Sequence, residues 1–216
     1  NAGMIVPSHF TPLAAPGIVA QGVKWMLNSK SPFYVRPALN FSLIDWGLKF
    51  LKHANEKHVH RNAAAIRDLN LASSRSYDEL AQQEGFDFEL RQNGIMMLYK
   101  SNHVAHEEIE LAEKAQNLCL DVEVFDQAGI QALEPNLRMD TIGGILYKCD
   151  GILYPPQLMK MLTDYLLAHG VQINYQTEVT GFRFSGKKVS EIVTSKGAFH
   201  ADEIVVTGGA ALPALA

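Results

Sequence analysis

The sequence predicts a mixed chain, α/β plus α+β: part of a doubly wound sheet domain carrying an inserted α+β region. Three observations predict it. From Pro155 to His169 the apolar residues Leu158, Met161, Leu162, Tyr165 and Leu166 recur at helical spacing, and short β-branched runs bounded by glycine follow. The last of these runs, Ile204-Val-Val-Thr207, stops at Gly208-Gly209. In open α/β sheets ligands sit at the carboxyl ends of strands, where glycine lets a backbone come close. Residues from about 30 to 150 instead mix long helical periods with isolated strands.

In chain order, the opening forty residues hold five prolines, Pro7, Pro12, Pro16, Pro32 and Pro37. They exclude a long helix there, except over Val19 to Leu27. Leu43, Trp46, Leu48 and Phe50 predict a helix from Ser42 to about Ala54. A second runs from about Val59 to Gln83, with Ala63, Ile66, Leu69, Ser73, Tyr77 and Leu80 on one stripe, and stops at Gly85. Ile95-Met-Met-Leu-Tyr99 reads as a strand after the Asn93-Gly94 turn. His103 to Leu118 reads as a helix with Ile109, Ala112 and Leu118 inward, and Val122 to Phe125 as a strand.

Asp126 can cap a short helix that ends before Glu134-Pro135. Gly143 to Lys148 reads as a strand ending at the turn pair Asp150-Gly151. Pro155-Pro156 opens the helix to His169, since proline suits the first turn, and Gly170 caps it. Four strands follow: Val171–Tyr175, Glu178–Phe184, Lys188–Thr194 and Ala198–Thr207, with turns at Ser185-Gly186 and Lys196-Gly197.

Composition narrows the function. A net charge of −4 with scattered Lys and Arg leaves no electrostatic footprint for nucleic acid. No run approaches the roughly 20 apolar residues of a membrane span. Cys119 and Cys149 lack metal-ligand spacing and read as reduced core thiols of a cytoplasmic protein. His53, His58 and His60 read as a solvated helix surface, so no metal is expected. His9 is weighed as a substrate contact and set aside. Asp140 and Asp150 show no partner that would make them an acid–base pair. Tyr147 and Tyr154 read as half-buried sheet tyrosines.

Asn1-Ala-Gly-Met-Ile-Val-Pro-Ser-His9, Pro12-Leu-Ala-Ala-Pro-Gly17 and Lys24-Trp-Met-Leu-Asn28 resemble the D-amino acid dehydrogenase small-subunit family, a branch of the FAD-dependent amine and amino-acid oxidoreductases. Trp46-Gly-Leu-Lys-Phe50, Gly94-Ile-Met-Met-Leu98, Leu133-Glu-Pro135, Asp150-Gly151 with Pro155, and Thr177-Glu-Val-Thr-Gly181 before Ala201-Asp-Glu-Ile-Val-Val206 continue the likeness in order. The resemblance implies a partial FAD-binding, Rossmann-like domain with an inserted α+β substrate domain. Residues 1–28 would open the FAD-binding domain, 29–152 would form the substrate-domain-like region, and 153–216 would return to the FAD-binding domain.

It also implies a flavoprotein that oxidatively deaminates D-amino acids to oxo acids and ammonia. Asn1, Ala2, Gly3 and Met4 would lie beside the flavin, Glu178 and Val179 would edge the adenine, and Thr207, Gly208, Gly209 and Ala210 would pass the phosphates or ribityl chain. At Gly3 and Gly209 only hydrogen is expected to fit against the cofactor. The G-x-G-x-x-G fingerprint of such families does not occur in the sequence. The chain is therefore expected to be an internal fragment whose partners are the N- and C-terminal parts of the same protein. By itself it should be inactive and without FAD, and its catalytic residues are unknown. The resemblance allows an electron-acceptor partner at the inner face of the membrane. Two other readings stay open: a glycine or sarcosine oxidase-like flavoprotein, which passes electrons to oxygen, and a non-catalytic α+β interaction module.

Overall fold

The computed structural model describes residues 3–16 and 41–209. The contacts divide the chain into two compact units, Asn1–Leu162 and Thr163–Ala216. The helix expected over Val19 to Leu27 lies outside the described residues.

In the first unit β1 (Met4–Ile5) pairs antiparallel with β5 (Gly151–Ile152). Helix α1 (Phe41–His53) buries none of its side chains. Helix α2 (Glu56–Ala81) begins at Asn55, whose side chain accepts from the His58 N–H at 3.0 Å. Ala63 is buried and Tyr77 and Leu80 pack on a core, as the apolar spacing predicts, but the inward stripe departs from it in between. Ser74 is buried, whereas Leu69 is 71% exposed and Ser73 faces solvent. Polar side chains hold that inward face. Arg67 donates to the Leu118 carbonyl, Asn70 donates to the His9 carbonyl, and Ser74 Oγ accepts from Gln92. A reading of apolar periodicity alone passes over such residues.

Strands β2 (Ile95–Tyr99), β3 (Val122–Asp126) and β4 (Gly143–Tyr147) form an antiparallel sheet in the order β2-β4-β3. Helix α3 (Asn102–Asn117), capped by Ser101, packs on it through Ala112 and Ala115. Tyr99, Val122, Ile145 and Tyr147 complete that core, and Phe10 of the opening segment joins it. Short side chains on α3 let helix and sheet approach, and the sheet's own centre is glycine. A Cβ on Gly144 would lie 2.8 Å from the Met97 carbonyl oxygen, so β4 fits between its neighbours only with hydrogen there. Helix α4 (Gln127–Leu133) starts at Asp126, whose carboxylate accepts from the Gly129 N–H at 2.7 Å. Helix α5 (Pro155–Ala168) contributes Leu158 to a smaller core with Phe86 and Phe88.

The second unit holds the meander β6 (Val179–Ser185), β7 (Lys188–Thr194) and β8 (Gly197–Phe199), all antiparallel. One expected strand is absent, and the one expected over Ala198–Thr207 is reduced to its first residues in β8. Val171 to Tyr175 forms none, because Val171 is used to close α5: its N–H donates to the Leu166 carbonyl at 3.0 Å while Gly170 turns with φ of 80°. Nor is there a strand over 200–207. Val205 is 85% exposed there, and no described strand offers Ile204–Thr207 the ladder that a strand requires. The turn expected at Asp150-Gly151 sits earlier, at Lys148-Cys149, and Gly151 itself is in β5. Cys119 is an exposed thiol, not a core one. It follows α3 with φ of 59°, a left-handed position that turns its side chain outward, while Leu120 next to it is buried.

Helix and sheet are thus mixed, and every strand pairing among the described residues is antiparallel. Among the described residues no helix is long and apolar enough to cross a membrane.

Candidate functional site

Of the residues singled out as flavin contacts, Asn1, Ala2 and Ala210 lie outside the described residues. Gly3 and Met4 belong to the first unit, and Glu178, Val179, Thr207, Gly208 and Gly209 to the second.

Gly3 and Met4 lead into a segment fixed at both ends. The Gly3 carbonyl accepts from the Leu153 N–H at 2.8 Å, next to the two-residue ladder between β1 and β5. Five residues on, Ser8 is buried and bound to Asp150, itself only 2% exposed. The Asp150 carboxylate accepts from the Ser8 N–H at 3.0 Å and from the Ser8 hydroxyl at 2.6 Å. Burying a carboxylate is costly unless its oxygens are bonded, and a charge-assisted pair of this kind supplies the compensation. Asp150 therefore has a partner that sequence spacing could not reveal, because 142 residues separate the two.

The room at Gly3 is set by protein. A Cβ there would fall 2.5 Å from the Leu153 carbonyl oxygen and 3.2 Å from Pro155 Cδ. The protein itself therefore requires glycine at that position. Met4 is 49% exposed on the same strand. Beside it opens a cavity of about 370 Å³, lined among others by Met4, Ser8, Met97, Glu108, Tyr147 and Asp150. A larger cavity of about 750 Å³ lies between α2 and α3, walled by Phe10, Val59, Ala63 and Leu111.

Tyr147 is 3% exposed rather than half-buried, and among the described residues its hydroxyl has no hydrogen-bond partner. Burial first, then the nearby charges of Glu108 and Asp150, push its pKa up to about 12. Burial likewise pushes the Cys149 thiol up to about 12, with Asp150 adding to it. Desolvation and then Glu107 raise the Glu108 carboxyl. Tyr154, on the other side of the turn, is half exposed, as is His9's side of the segment. Among the described residues no group of three or more His, Cys, Asp or Glu could hold a metal.

In the second unit the Glu178 N–H donates to Ser195 Oγ at 3.1 Å, and the Glu178 carbonyl accepts from the Ser195 N–H at 2.8 Å. Both backbone groups of Glu178 are thus turned toward the neighbouring segment. Val179 pairs with Thr194, leaving the far side of β6 without a described partner strand. That side is the edge of the sheet, because β6 is its outer strand. A register shift follows directly, between Val179 and Gly181. Gly209 has φ of 53° with nothing within 4 Å of a Cβ placed on it. Glycine suits that backbone angle, which other residues adopt only with strain. Thr207 and Gly208 sit in extended, irregular chain just before it.

The family model for FAD dependent oxidoreductases matches residues 1–216, the whole chain. The chain belongs to the FAD dependent oxidoreductase family. Relatives include D-amino acid dehydrogenase from Helicobacter pylori, 29% identical over 213 residues, covering 97% of the chain and 50% of that protein. D-amino acid dehydrogenase from Cereibacter sphaeroides is 31% identical over 221 residues, covering 100% of the chain and 50% of that protein. The chain spans about half the length of the curated relatives it matches. Among solved structures, glycine oxidase from Bacillus cereus superposes with a TM-score of 0.60 at 24% identity, over 67% of this chain and 41% of that one. L-amino acid deaminase from Proteus vulgaris gives 0.56 at 19%, over 67% and 35%. At these identities the likeness shows a shared fold and nothing more specific.

Proposed function

We propose that this chain is part of an FAD-dependent dehydrogenase that oxidatively deaminates D-amino acids to oxo acids and ammonia. The observation that carries the reading is the match over the whole chain to the family and to relatives named D-amino acid dehydrogenase. FAD, when bound, supplies the two-electron acceptor for cleavage of the substrate's Cα–H bond, and the protein supplies binding and orientation. The backbone of Val179, on the outer strand of its sheet, would edge the adenine, and Glu178 is held in place through Ser195. Gly3 and Met4, with Asn1 and Ala2 before them, would flank the flavin ring from a segment anchored at Ser8. Thr207, Gly208, Gly209 and Ala210 would pass the phosphates or ribityl chain, where the left-handed Gly209 turns the backbone without a side chain.

Residues 1–28 and 153–216 would contribute to the Rossmann-like FAD-binding domain, and 29–152 to the substrate side. The dinucleotide fingerprint, which this sequence lacks, would be supplied by a part of the protein outside these residues. An electron acceptor at the inner face of the membrane fits a dehydrogenase better than an oxidase. The alternative, a glycine or sarcosine oxidase-like enzyme, draws on the fold shared with glycine oxidase. The whole enzyme separates them when given D-alanine and glycine under air. Oxo acid formed from D-alanine only with an artificial electron acceptor supports the dehydrogenase. Stoichiometric hydrogen peroxide from glycine without any acceptor supports the oxidase and overturns the first reading.

A further inference from the structure

We propose that Asp150 is a positioning residue for the flavin-side loop, acting through Ser8; this rests on the reading that Gly3 and Met4 lie beside the flavin. A loop that must hold a backbone against a cofactor needs its far end fixed, because each unfixed residue adds conformational freedom that binding must remove. Toward its start the segment is held by the β1–β5 ladder, which has only two residue pairs. Past β1 it leaves the sheet, and the next buried polar anchor is Ser8 on Asp150.

Asp150 is well placed for that task. It follows the Lys148-Cys149 turn at the end of β4 and directly precedes β5, the strand that pairs with β1. Its own N–H donates to the Tyr147 carbonyl at 3.2 Å, and its carbonyl accepts from the Gly94 N–H at 3.1 Å. The carboxylate is thus carried on a backbone tied to β4 and to the turn before β2. It grips the opening segment twice, once at the backbone and once at the side chain of Ser8. A shift of the loop by one residue would put Pro7, which has no N–H, or His9, whose side chain is exposed, on the carboxylate. The β1–β5 ladder sets the register of Gly3 and Met4, and the Ser8–Asp150 pair fixes the far end of the segment that follows them.

The chemistry ranks the substitutions. Asparagine at 150 keeps an acceptor for the Ser8 N–H and can donate to the Ser8 hydroxyl, so both bonds survive in weaker, neutral form. Alanine removes both and leaves the Ser8 N–H and hydroxyl buried without partners. Ser8→Ala removes only the side-chain bond.

The experiment compares D150A, S8A and D150N in the whole, flavin-loaded enzyme. It reads amide hydrogen exchange of residues 3–10, the flavin's visible absorption spectrum, and kcat and KM separately. We expect exchange at 3–10 to rise about tenfold or more in D150A, less in S8A and least in D150N. The flavin spectrum should shift and kcat should fall in the same rank order. Should D150A fail to fold, S8A and D150N still give the ranking. Faster exchange at 3–10 with an unaltered flavin spectrum and kcat would overturn the positioning role while leaving the proposed function intact. Unchanged exchange in all three variants would show that the pair does not hold the loop. A whole enzyme that carries no flavin before any substitution would overturn the underlying reading, and this inference with it.

Discussion

The two units of this chain are built to different standards. The first unit closes a core of its own. Phe10, Tyr99, Ala112, Ala115, Ile145 and Tyr147 are all buried together, and ties such as Ser8–Asp150 join residues far apart in sequence. The second unit has none of this. No described residue from 163 onward is buried, and apolar side chains such as Phe184, Tyr175 and Val205 stand open. Its order comes from the hydrogen-bond ladder of three sequential strands and from tight turns at Gly186 and Gly197, which have φ of 63° and 125°. Three strands with an unburied apolar face are near the minimum for independent stability. Stability is therefore expected to reside in the first unit, while the strand edge proposed for adenine lies on the more weakly held second one.

The sharpest way to break that comparison is to remove apolar volume from each unit. Ile145, with no exposed surface, sits at the centre of the first core, and Ile145→Ala should cost about 2–5 kcal/mol. Val193, half-buried on β7, should cost about 1 kcal/mol on truncation to alanine. Urea unfolding of the two variants checks the difference. Equal losses would mean that the second unit contains a core as tight as the first.

Glycine provides the next contrast. Gly3→Val places carbon against the Leu153 carbonyl and Pro155, so it should destabilise the β1–β5 junction by about 1–3 kcal/mol. Gly209→Val meets no neighbour but must hold φ near 53°, a strain of roughly 1–2 kcal/mol. Thermal unfolding measured with the flavin-to-protein ratio of the whole enzyme separates them. The first variant should lower the melting temperature together with flavin content. The second should lower flavin content with a smaller fall in melting temperature than the first.

The smallest effect is confined to alkaline solution. Tyr147 and Cys149 hold their protons to about pH 12 in the folded chain, against ordinary values of 10.0 and 9.0. The unfolded chain releases them first, so their contribution to stability is complete below about pH 9 and is lost as the pH rises toward 12. Tyr147→Phe should make that loss shallower and leave only the thiol's share. Urea midpoints collected from pH 8 to 11 test this, and identical pH profiles would contradict it.

The differences between the units also explain what could be read from sequence. Helices α3 and α5 and strands β2, β4, β6 and β7 lie close to the ranges their residues predict, because apolar runs and turn residues bound each of them. Ile204–Thr207 has the composition of a buried strand and is not one, since composition says nothing about whether a neighbouring strand exists to pair with it. The inward side of α2 was hidden for a related reason: Arg67, Asn70 and Ser74 face inward through hydrogen bonds to distant segments. Ser8 and Asp150 were each visible as residues but not as a pair. The only signal was a short polar side chain amid the apolar opening run, which is too common to single out. The closed space at Gly3 and the open edge at Val179 depend on what lies beside them, and periodicity carries no such information.

The central claim is that this chain serves an enzyme that takes electrons from D-amino acids into FAD. Anaerobic mixing of the whole flavin-loaded enzyme with D-alanine or L-alanine, followed by visible absorption, tests it most directly. The account predicts that D-alanine bleaches the oxidised flavin band within the mixing experiment and that L-alanine leaves it intact. A band unchanged by D-alanine, or bleached equally by both enantiomers, would contradict it.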